Sequence, residues 1–574
     1  MLKSRNQILI SKFGLSNLPK TKLLFMKKIT LLLLVVLSQT IFGNTKISET
    51  EKLTATCKVW GFLKYYHPKV ANGEFNWDQQ LIDVLPKIEK AQTKEEFSLV
   101  LENWIDNLGP VKEIAPIVQS KDVEYFDANF DLSWFNNKLF SKKLSKKLKF
   151  IEDNRFQSNE EFEMGFDALK NVKNYFDLDY NNKSSRIVML FAYWNLIEYY
   201  FPYKYVMDQK WDLSLEQTLP LVIDAKNESD FYIIMRKLSS KLNDSHVEFY
   251  IYPSPSSSEI RRYFPADGKI INEKMVVTAI LGDSLAQADD IKIGDVITKI
   301  NDKTIREIIL ENRDLISASN EPKYLDKLVE KILLSNSDTV KVEFLKDDKY
   351  ITKTMTWYNY HDSHRNEFKK GAIKKKEKFK LLDNNIGYVD MGVIKDRHVP
   401  DMIEALKSTK AIVFDMRNYP KETYESISNF LNPHAKEFCI YTMPCLNYPG
   451  RYVWTTEGRK AGFENKDNYK GKVIVLLNEK SISQSEWTAM CFQTAGNTTI
   501  IGSQTAGTDG NAIDIDFKKF HTRYTGIGVY YPDRRETQRI GIVPDIEVKP
   551  TIKGIQAGKD EVLDRALVFI ETGK

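Results

Sequence analysis

The feature that most constrains the fold is an alternation of short aliphatic strands and helical segments between residues 385 and 502. Strands are predicted at 385–391, 411–415, 472–477 and 498–502, and helices at 402–407 and 486–494. Aliphatic strands separated by helices are typical of a parallel sheet. We therefore predict a parallel α/β core over residues 375–552, with a last helix near 561–570 in a C-terminal segment, 553–574.

The N-terminal half contains an internal repeat with an offset of 134 residues. The matching pairs are Trp60 with Trp194, Tyr65-Tyr66 with Tyr199-Tyr200, and Trp77-Asp78 with Trp211-Asp212. Apolar residues recur at helical spacing in both copies. We predict a first helical unit with a linker over 50–180 and a second unit over 186–255, in which the aromatic side chains form core packing.

Residues 265–357 have the pattern of a separate domain. Strands are predicted at 275–278 and 339–344, a turn leading into a strand at 291–301, and a helix at 324–334. The stretch from Gly294 to Asn301 resembles a motif of PDZ domains. That resemblance implies binding of extended peptide tails by addition of a strand to a sheet edge. A PDZ-like scaffold without a ligand is the alternative.

Residues 1–43 have the pattern of an export signal. They hold seven basic and no acidic side chains, and an apolar run at 29–42 follows Met26-Lys27-Lys28. The run is short for a membrane-spanning helix, so we predict a signal peptide and a periplasmic or extracellular protein without a stable membrane span. An uncleaved anchor is the alternative, and the chain starts at Met1 or at Met26.

Charge and cysteine content narrow the classes of partner and cofactor. Removing seven basic side chains from a chain of net charge +5 leaves −2, so no nucleic-acid partner is expected. The four cysteines form no CxxC pair, which argues against zinc and redox motifs. Cys439 and Cys445 are close enough in sequence to leave a local disulfide open.

The strand at 472–477 leads into a polar turn and then a helix, and the turn contains Ser481, Ser483 and Ser485. A serine in such a turn lies beside free N–H groups at a helix N-terminus, which can stabilise an oxyanion. Serine is also common as an N-cap, and Ser485, next to Glu486, is interpreted as that cap.

Three motifs in this half of the chain resemble those of the tail-specific, or C-terminal-processing, serine peptidases and the related tricorn core protease. They are Ser-Ile-Ser-Gln-Ser-Glu at 481–486, Asp-Met-Arg-Asn at 415–418 and Gly-Ile-Val-Pro-Asp-Ile at 541–546. The resemblance implies a ClpP/crotonase-like α/β peptidase core with a PDZ-like domain, Ser483 as nucleophile, no cofactor and no metal.

The same resemblance points to a base. One branch of the family uses a lysine 25 residues after the serine, where this chain has Thr508. The tricorn-like branch uses a histidine from an Asp-Ser-His element, which matches 244–246. We therefore expect His246 as general base with Ser245 as its polar partner. The tripeptide recurs at 362–364, in a polar stretch, and is interpreted as a decoy.

Further site residues follow from the resemblance less directly. The tricorn-like branch places a Glu that orients the network three residues before the position of Gly541, where this chain has Gln538; Gln538 or Glu536, two residues earlier, is the candidate for this role. The glycines that often follow Asp-Leu-Arg-x-Asn are missing, so the oxyanion donors are expected to be the N–H groups of Gln484 and Lys421. Thr505 and Gly507 are expected to line the substrate cleft.

Three functions are therefore weighed. The first is an exported serine endopeptidase that cleaves peptides or unfolded protein segments through an acyl-enzyme. The second is a catalytically weak or inactive peptide-binding protein on the same fold. The third, a metal hydrolase using His361 and His364, lacks a clear carboxylate partner. Peptide or protein substrates are the expected partners, and an oligomer is left open.

Overall fold

The computed structural model describes residues 47–117, 121–157, 178–251, 262–359, 377–517 and 519–574. The predicted export signal, His361 and the second Asp-Ser-His tripeptide lie outside these residues. Within the described ranges, no helix has the length and apolar character needed to cross a bilayer. In the same ranges, no cluster of three His, Cys, Asp or Glu side chains could hold a metal ion.

The N-terminal part of the described chain is helical, as the repeat predicts. Its helices are α1 (Glu49–Tyr66), α2 (Pro68–Ala71), α3 (Trp77–Lys90), α4 (Lys94–Asn107), α5 (Lys142–Asp153), α6 (Lys183–Tyr200), α7 (Trp211–Asp224) and α8 (Glu228–Ser240). Two short strands accompany them, β1 (Tyr125–Phe126) and β2 (Glu248–Ile251).

Each repeat contains an equivalent pair of tryptophans that hydrogen-bond to each other. Trp60 donates its indole N–H to the carbonyl of Trp77 at 3.2 Å, and Trp77 returns the bond at 3.1 Å. Trp194 and Trp211 do the same at 3.1 and 3.0 Å. Both pairs of rings are stacked, with interplanar angles of 13° and 3°. The repeated tryptophans are therefore core packing, because their rings are buried and stacked and their N–H groups are bonded inside the helical layer.

The middle of the chain forms a separate mixed domain. Its strands are β3 (Arg262–Tyr263), β4 (Ala266–Ile271), β5 (Lys274–Ile280), β6 (Val296–Ile300), β7 (Lys303–Thr304), β8 (Leu334–Ser335), β9 (Thr339–Lys346), β10 (Lys349–Thr356) and β11 (Tyr358–Asn359). Its helices are α9 (Asp283–Ala288), α10 (Ile305–Glu311) and α11 (Glu321–Ile332). The main sheet has the order β10-β9-β6-β5-β4 and has its own apolar core.

The C-terminal part is the predicted α/β core. Its strands are β12 (Phe379–Leu382), β13 (Ile386–Asp390), β14 (Ala411–Asp415), β15 (Lys436–Pro444), β16 (Tyr452–Trp454), β17 (Arg459–Ala461), β18 (Lys472–Leu477), β19 (Thr498–Gly502), β20 (Ala512–Phe517), β21 (Phe520–Thr525), β22 (Gly528–Tyr530) and β23 (Ile546–Glu547). Its helices are α12 (Val399–Leu406), α13 (Tyr424–Leu431), α14 (Gln484–Gln493), α15 (Ile552–Gln556) and α16 (Glu561–Thr572).

The central sheet has the order β12-β13-β14-β18-β19-β23, and every neighbouring pair after the antiparallel β12–β13 pair is parallel. Alternate residues of β18 pack in opposite directions. Val473 and Val475 join the core formed with α12–α14, whereas Ile474 and Leu476 pack with α16. Coverage on both faces is the physical reason that the strand is aliphatic at consecutive positions.

A second, smaller sheet links the helical region to the core. Its order is β2-β21-β20, and Glu248 of β2 faces Arg523 of β21 in an antiparallel register. The Asp-Ser-His element immediately precedes β2, so this pairing places it at the end of β21.

Elsewhere in the core, Cys439 and Cys445 are both free thiols, so the disulfide left open by the sequence is not formed.

Candidate active site

Ser483 lies at the junction between the turn after β18 and helix α14, with φ 55° and ψ −118°. A non-glycine residue with positive φ is strained, and such strain persists where the surrounding structure imposes it. Ser483 is the N-cap of α14, which corrects the expectation that Ser485 would be the cap. The hydroxyl of Ser485 is buried and has no hydrogen-bond partner within the described residues.

The Glu486 carboxylate accepts hydrogen bonds from the turn that carries Ser483. One carboxylate oxygen accepts the N–H of Ser483 and that of Thr508, both at 3.1 Å. The other accepts the N–H of Gly507 at 2.8 Å and the hydroxyl of Thr505. Burial raises the pKa of Glu486 to about 7, against the lowering effect of these hydrogen bonds. The strained serine is therefore tied to residues 505–508 through one buried carboxyl group.

His246 is oriented by Asp244 and Thr525. Asp244 is fully buried and accepts the backbone N–H of His246 at 3.0 Å and that of Thr525 at 2.9 Å. Nδ1 of His246 lies 2.9 Å from the hydroxyl oxygen of Thr525. Burial lowers the pKa of His246, and the charge of Asp244 opposes that effect. The imidazole is therefore neutral at pH 7, which is the protonation state of a general base.

Ser245 connects the histidine loop to the same segment that holds Ser483. Its N–H donates to the hydroxyl of Thr508 at 3.0 Å, and its own hydroxyl donates to the carbonyl of Ala506 at 3.2 Å. The N–H of Ser483 donates to the carbonyl of Thr508 at 2.9 Å. Ser483 and the residue that precedes His246 are therefore both hydrogen-bonded to the segment 506–508. Among the described hydrogen bonds, none joins the two side chains directly.

The predicted oxyanion donors differ in their placement. Gln484 is the first residue of α14 and lines the cleft beside Ser483. Lys421 is exposed between two lining residues, Tyr419 and Glu422, and does not itself line the cleft. Glu422 has φ 55°, so the loop adopts a left-handed conformation without the family's glycine.

Neither Glu536 nor Gln538, the candidates for the orienting residue, forms a hydrogen bond with His246 among the described contacts. Glu536 hydrogen-bonds Tyr205 and the N–H of Gln538, and it lies in a different pocket from Ser483. Gln538 is 1% exposed, and neither of its side-chain amide atoms has a hydrogen-bond partner within the described residues. Among the described hydrogen bonds, the imidazole of His246 is bonded to Thr525, and the orienting role of Glu536 or Gln538 stays a prediction.

Thr505 and Gly507 are brought to the site but do not line the Ser483 cleft. Both donate hydrogen bonds to Glu486, so they stabilise the turn that carries Ser483 and do not form part of the cleft wall. Gly541, from the closing motif, packs against the same carboxyl group. A Cβ at Gly541, where φ is 65°, would lie 2.6 Å from Glu486 Oε1.

Sequence reasoning missed three residues of the site, namely Asp244, Glu486 and Thr525. Asp244 and Glu486 belong to motifs that were recognised, and their partner bonds follow from hydrogen-bonding capacity once the loops are placed together. Thr525 carried no signal in the sequence, because it meets His246 only through the β2–β21 pairing.

A strained serine at a helix N-terminus and a neutral buried histidine linked to the same loop segment are features of serine hydrolase sites. Residues 385–548 match the family described as Peptidase family S41. The chain thus contains an S41 peptidase domain of the tail-specific, or C-terminal-processing, family and is a serine peptidase. A search among curated proteins finds no match.

Similar solved structures include proteases, and mature CPAF, with a TM-score above 0.5, shares the fold. Mature CPAF complexed with lactacystin is 12% identical, with a TM-score of 0.53, and the match covers 67% of this chain and 98% of that chain. The photosystem II D1 C-terminal processing protease is 14% identical, with a TM-score of 0.39 and coverage of 66% and 98%. For the tricorn protease the identity is 15%, the TM-score 0.35 and the coverage 68% and 37%.

Proposed function

We propose that the protein is an exported endopeptidase that cleaves peptides or unfolded protein segments, with Ser483 as nucleophile and His246 as general base. The observation that carries the proposal is the strained φ of 55° at Ser483, at the N-terminus of α14. Strain of this kind aims a hydroxyl out of a sharp turn and beside free N–H groups, where an attacked carbonyl would lie.

The reaction follows from these positions. His246 takes the proton of the Ser483 hydroxyl as the oxygen attacks the substrate carbonyl, and it then delivers that proton to the leaving amine. Water attacks the acyl-enzyme in the second half, again with His246 as base. For Nε2 to accept a proton, Nδ1 must carry one, and the Thr525 hydroxyl at 2.9 Å is its acceptor.

The oxyanion is assigned to backbone N–H groups. Gln484 supplies the first, because the opening N–H groups of a helix have no partner inside the helix. Lys421 was expected to supply the second. Glu422 is a further candidate for the second donor, since Glu422 lines the cleft and Lys421 does not.

Two further parts of the proposal concern location and binding. Export rests on the basic and apolar pattern of residues 1–43. Peptide-tail binding by the 265–357 domain is supported by a groove of about 550 Å³ beside the edge strand β4 and helix α11. An exposed strand edge next to a helix fits an added peptide strand. The groove also reaches Lys480, three residues before Ser483.

A non-cleaving peptide-binding protein is the second candidate. It is favoured by the lack of a direct Ser483–His246 hydrogen bond among the described contacts. Catalytic hydrogen bonds are often long before substrate binds, so this geometry also fits an active enzyme.

The deciding experiment compares wild type with Ser483→Ala, His246→Ala and Ser485→Ala. Ser485→Ala is the matched control, because it removes a buried serine hydroxyl without a partner two residues away. Mass spectrometry of peptide digests and labelling with a fluorophosphonate are measured together. Cleavage and labelling should be lost in Ser483→Ala and retained in the control. Wild type that neither cleaves nor labels, or full activity of Ser483→Ala, refutes the proposal.

A further inference from the structure

The cleft beside Ser483 is strongly acidic. It has a volume of about 880 Å³, and four carboxylate side chains line it against a single guanidinium, that of Arg459. The four are Asp396, Glu422, Glu425 and Asp509. Within the described residues, none of the four forms an ion pair, and Arg459 hydrogen-bonds the hydroxyl of Tyr424 at 3.2 Å. A cleft of this charge attracts cationic groups.

Asp509 is the unusual member of this set, because it is 4% exposed. One of its carboxylate oxygens accepts the N–H of Gly510 at 2.7 Å. The other, Oδ2, is buried and has no partner within the described residues. A buried polar atom without a partner is unfavourable and calls for an explanation, such as a bound group. Asp509 lines the same cleft as Ser483, so a substrate group can supply the missing partner.

No cationic group of the described residues is among those that interact electrostatically with Asp509. The groups that interact with it electrostatically are Glu486, Tyr441, Cys439 and Tyr203. Burial and the neighbouring Glu486 raise the pKa of Asp509 well above its usual range. Burial thus disfavours the ionised form of Asp509, and a cationic partner would favour that form.

Aromatic side chains complete the binding surface. Trp487 and Tyr424 meet edge to face at 4.3 Å, and the indole N–H of Trp487 donates to the Tyr441 hydroxyl at 3.1 Å. All three line the cleft. Such rings pack against the alkyl stem of a long side chain and attract a cation at its end.

We propose that this cleft is a specificity pocket for a lysine or arginine side chain next to the scissile bond, with Asp509 as its acidic partner. The inference rests on the proposed peptidase function. It also predicts that a bound cationic side chain lowers the pKa of Asp509. Affinity for a cationic substrate therefore rises with pH below the pKa of free Asp509, whereas affinity for a neutral isostere does not.

The test uses internally quenched peptides that carry arginine or citrulline at each of the two positions flanking the cleaved bond. Citrulline keeps the shape of arginine and removes its charge. We expect kcat/KM to favour arginine at least tenfold at one position. Asp509→Asn, which imitates the protonated carboxyl, should reduce that ratio to about threefold or less. Asp347→Asn is the matched control, since Asp347 is exposed in the β9–β10 turn and has positive φ, which asparagine tolerates.

The outcomes separate the two proposals. Equal cleavage of both peptides by wild type, or an unchanged ratio in Asp509→Asn, overturns the specificity inference while Ser483 labelling still supports a peptidase. Absence of both cleavage and labelling instead refutes the proposed function. The pH dependence of KM in wild type is a measurement that needs no variant. A KM for the arginine peptide that does not fall relative to citrulline as the pH is raised through the pKa of Asp509 also overturns the inference.

Discussion

Replacing Thr525 with valine removes the hydroxyl that lies 2.9 Å from Nδ1 of His246 and changes little else. Valine has nearly the same shape as threonine, and the backbone N–H of residue 525, which donates to Asp244, is retained. The substitution therefore leaves the histidine loop attached and takes away only the acceptor that selects the ring tautomer and orientation.

The expected effect follows from one lost hydrogen bond to a group that becomes charged during reaction. Such bonds contribute about 1.5–3 kcal/mol. A tenfold change in rate corresponds to about 1.4 kcal/mol, so kcat should fall about 10- to 150-fold. KM should change little, because Thr525 does not line the substrate cleft. Steady-state kinetics on a peptide that wild type cleaves would measure both constants.

Thr522→Val is the matched control for this prediction. Thr522 lies on the same strand, is equally buried and donates its hydroxyl to the carbonyl of Glu248 at 3.1 Å, away from the imidazole. It should lower stability without a comparable fall in kcat. If Thr525→Val keeps kcat within twofold of wild type, or loses no more than Thr522→Val, the positioning role assigned to Thr525 is wrong.

Two other predictions concern packing and protonation. Gly541→Ala should destabilise the protein by about 2–5 kcal/mol, because positive φ costs alanine about 1–2 kcal/mol and crowding against Thr505 and Glu486 about 1–3 more. In chemical denaturation, Gly558→Ala, with φ 67° in open space, should show the first cost alone; equal losses would contradict the assigned contact. The His246 imidazole should titrate below pH 6.5 by NMR of ¹³C-labelled histidine, because burial lowers its pKa. Lys327→Met should raise that midpoint, since the Lys327 charge lowers it, and a wild-type midpoint at or above 6.5 would refute the direction.

Local patterns predicted most of the fold. The strands at 411–415, 472–477 and 498–502 have the bounds predicted for them. The repeat correctly predicted helices and tryptophan packing in both copies. These predictions succeed because strand and helix periodicity is written in consecutive residues. The N-cap prediction was wrong for a related reason: Ser483 and Ser485 have the same chemistry, and only backbone dihedrals distinguish them.

The same distinction between local and long-range features applies to the active site. The sequence alone determined the strand–turn–helix around Ser483, because its strand, turn and helix are consecutive in the chain. Only the tertiary structure decided that the His246 ring contacts Thr525, 279 residues away, and that Glu536 belongs to another pocket. That decision depends on the register between β2 and β21, and a strand register is set by packing against the rest of the protein. The fold therefore decides which distant residues contact a motif, whereas the local backbone geometry of the motif follows from its own residues.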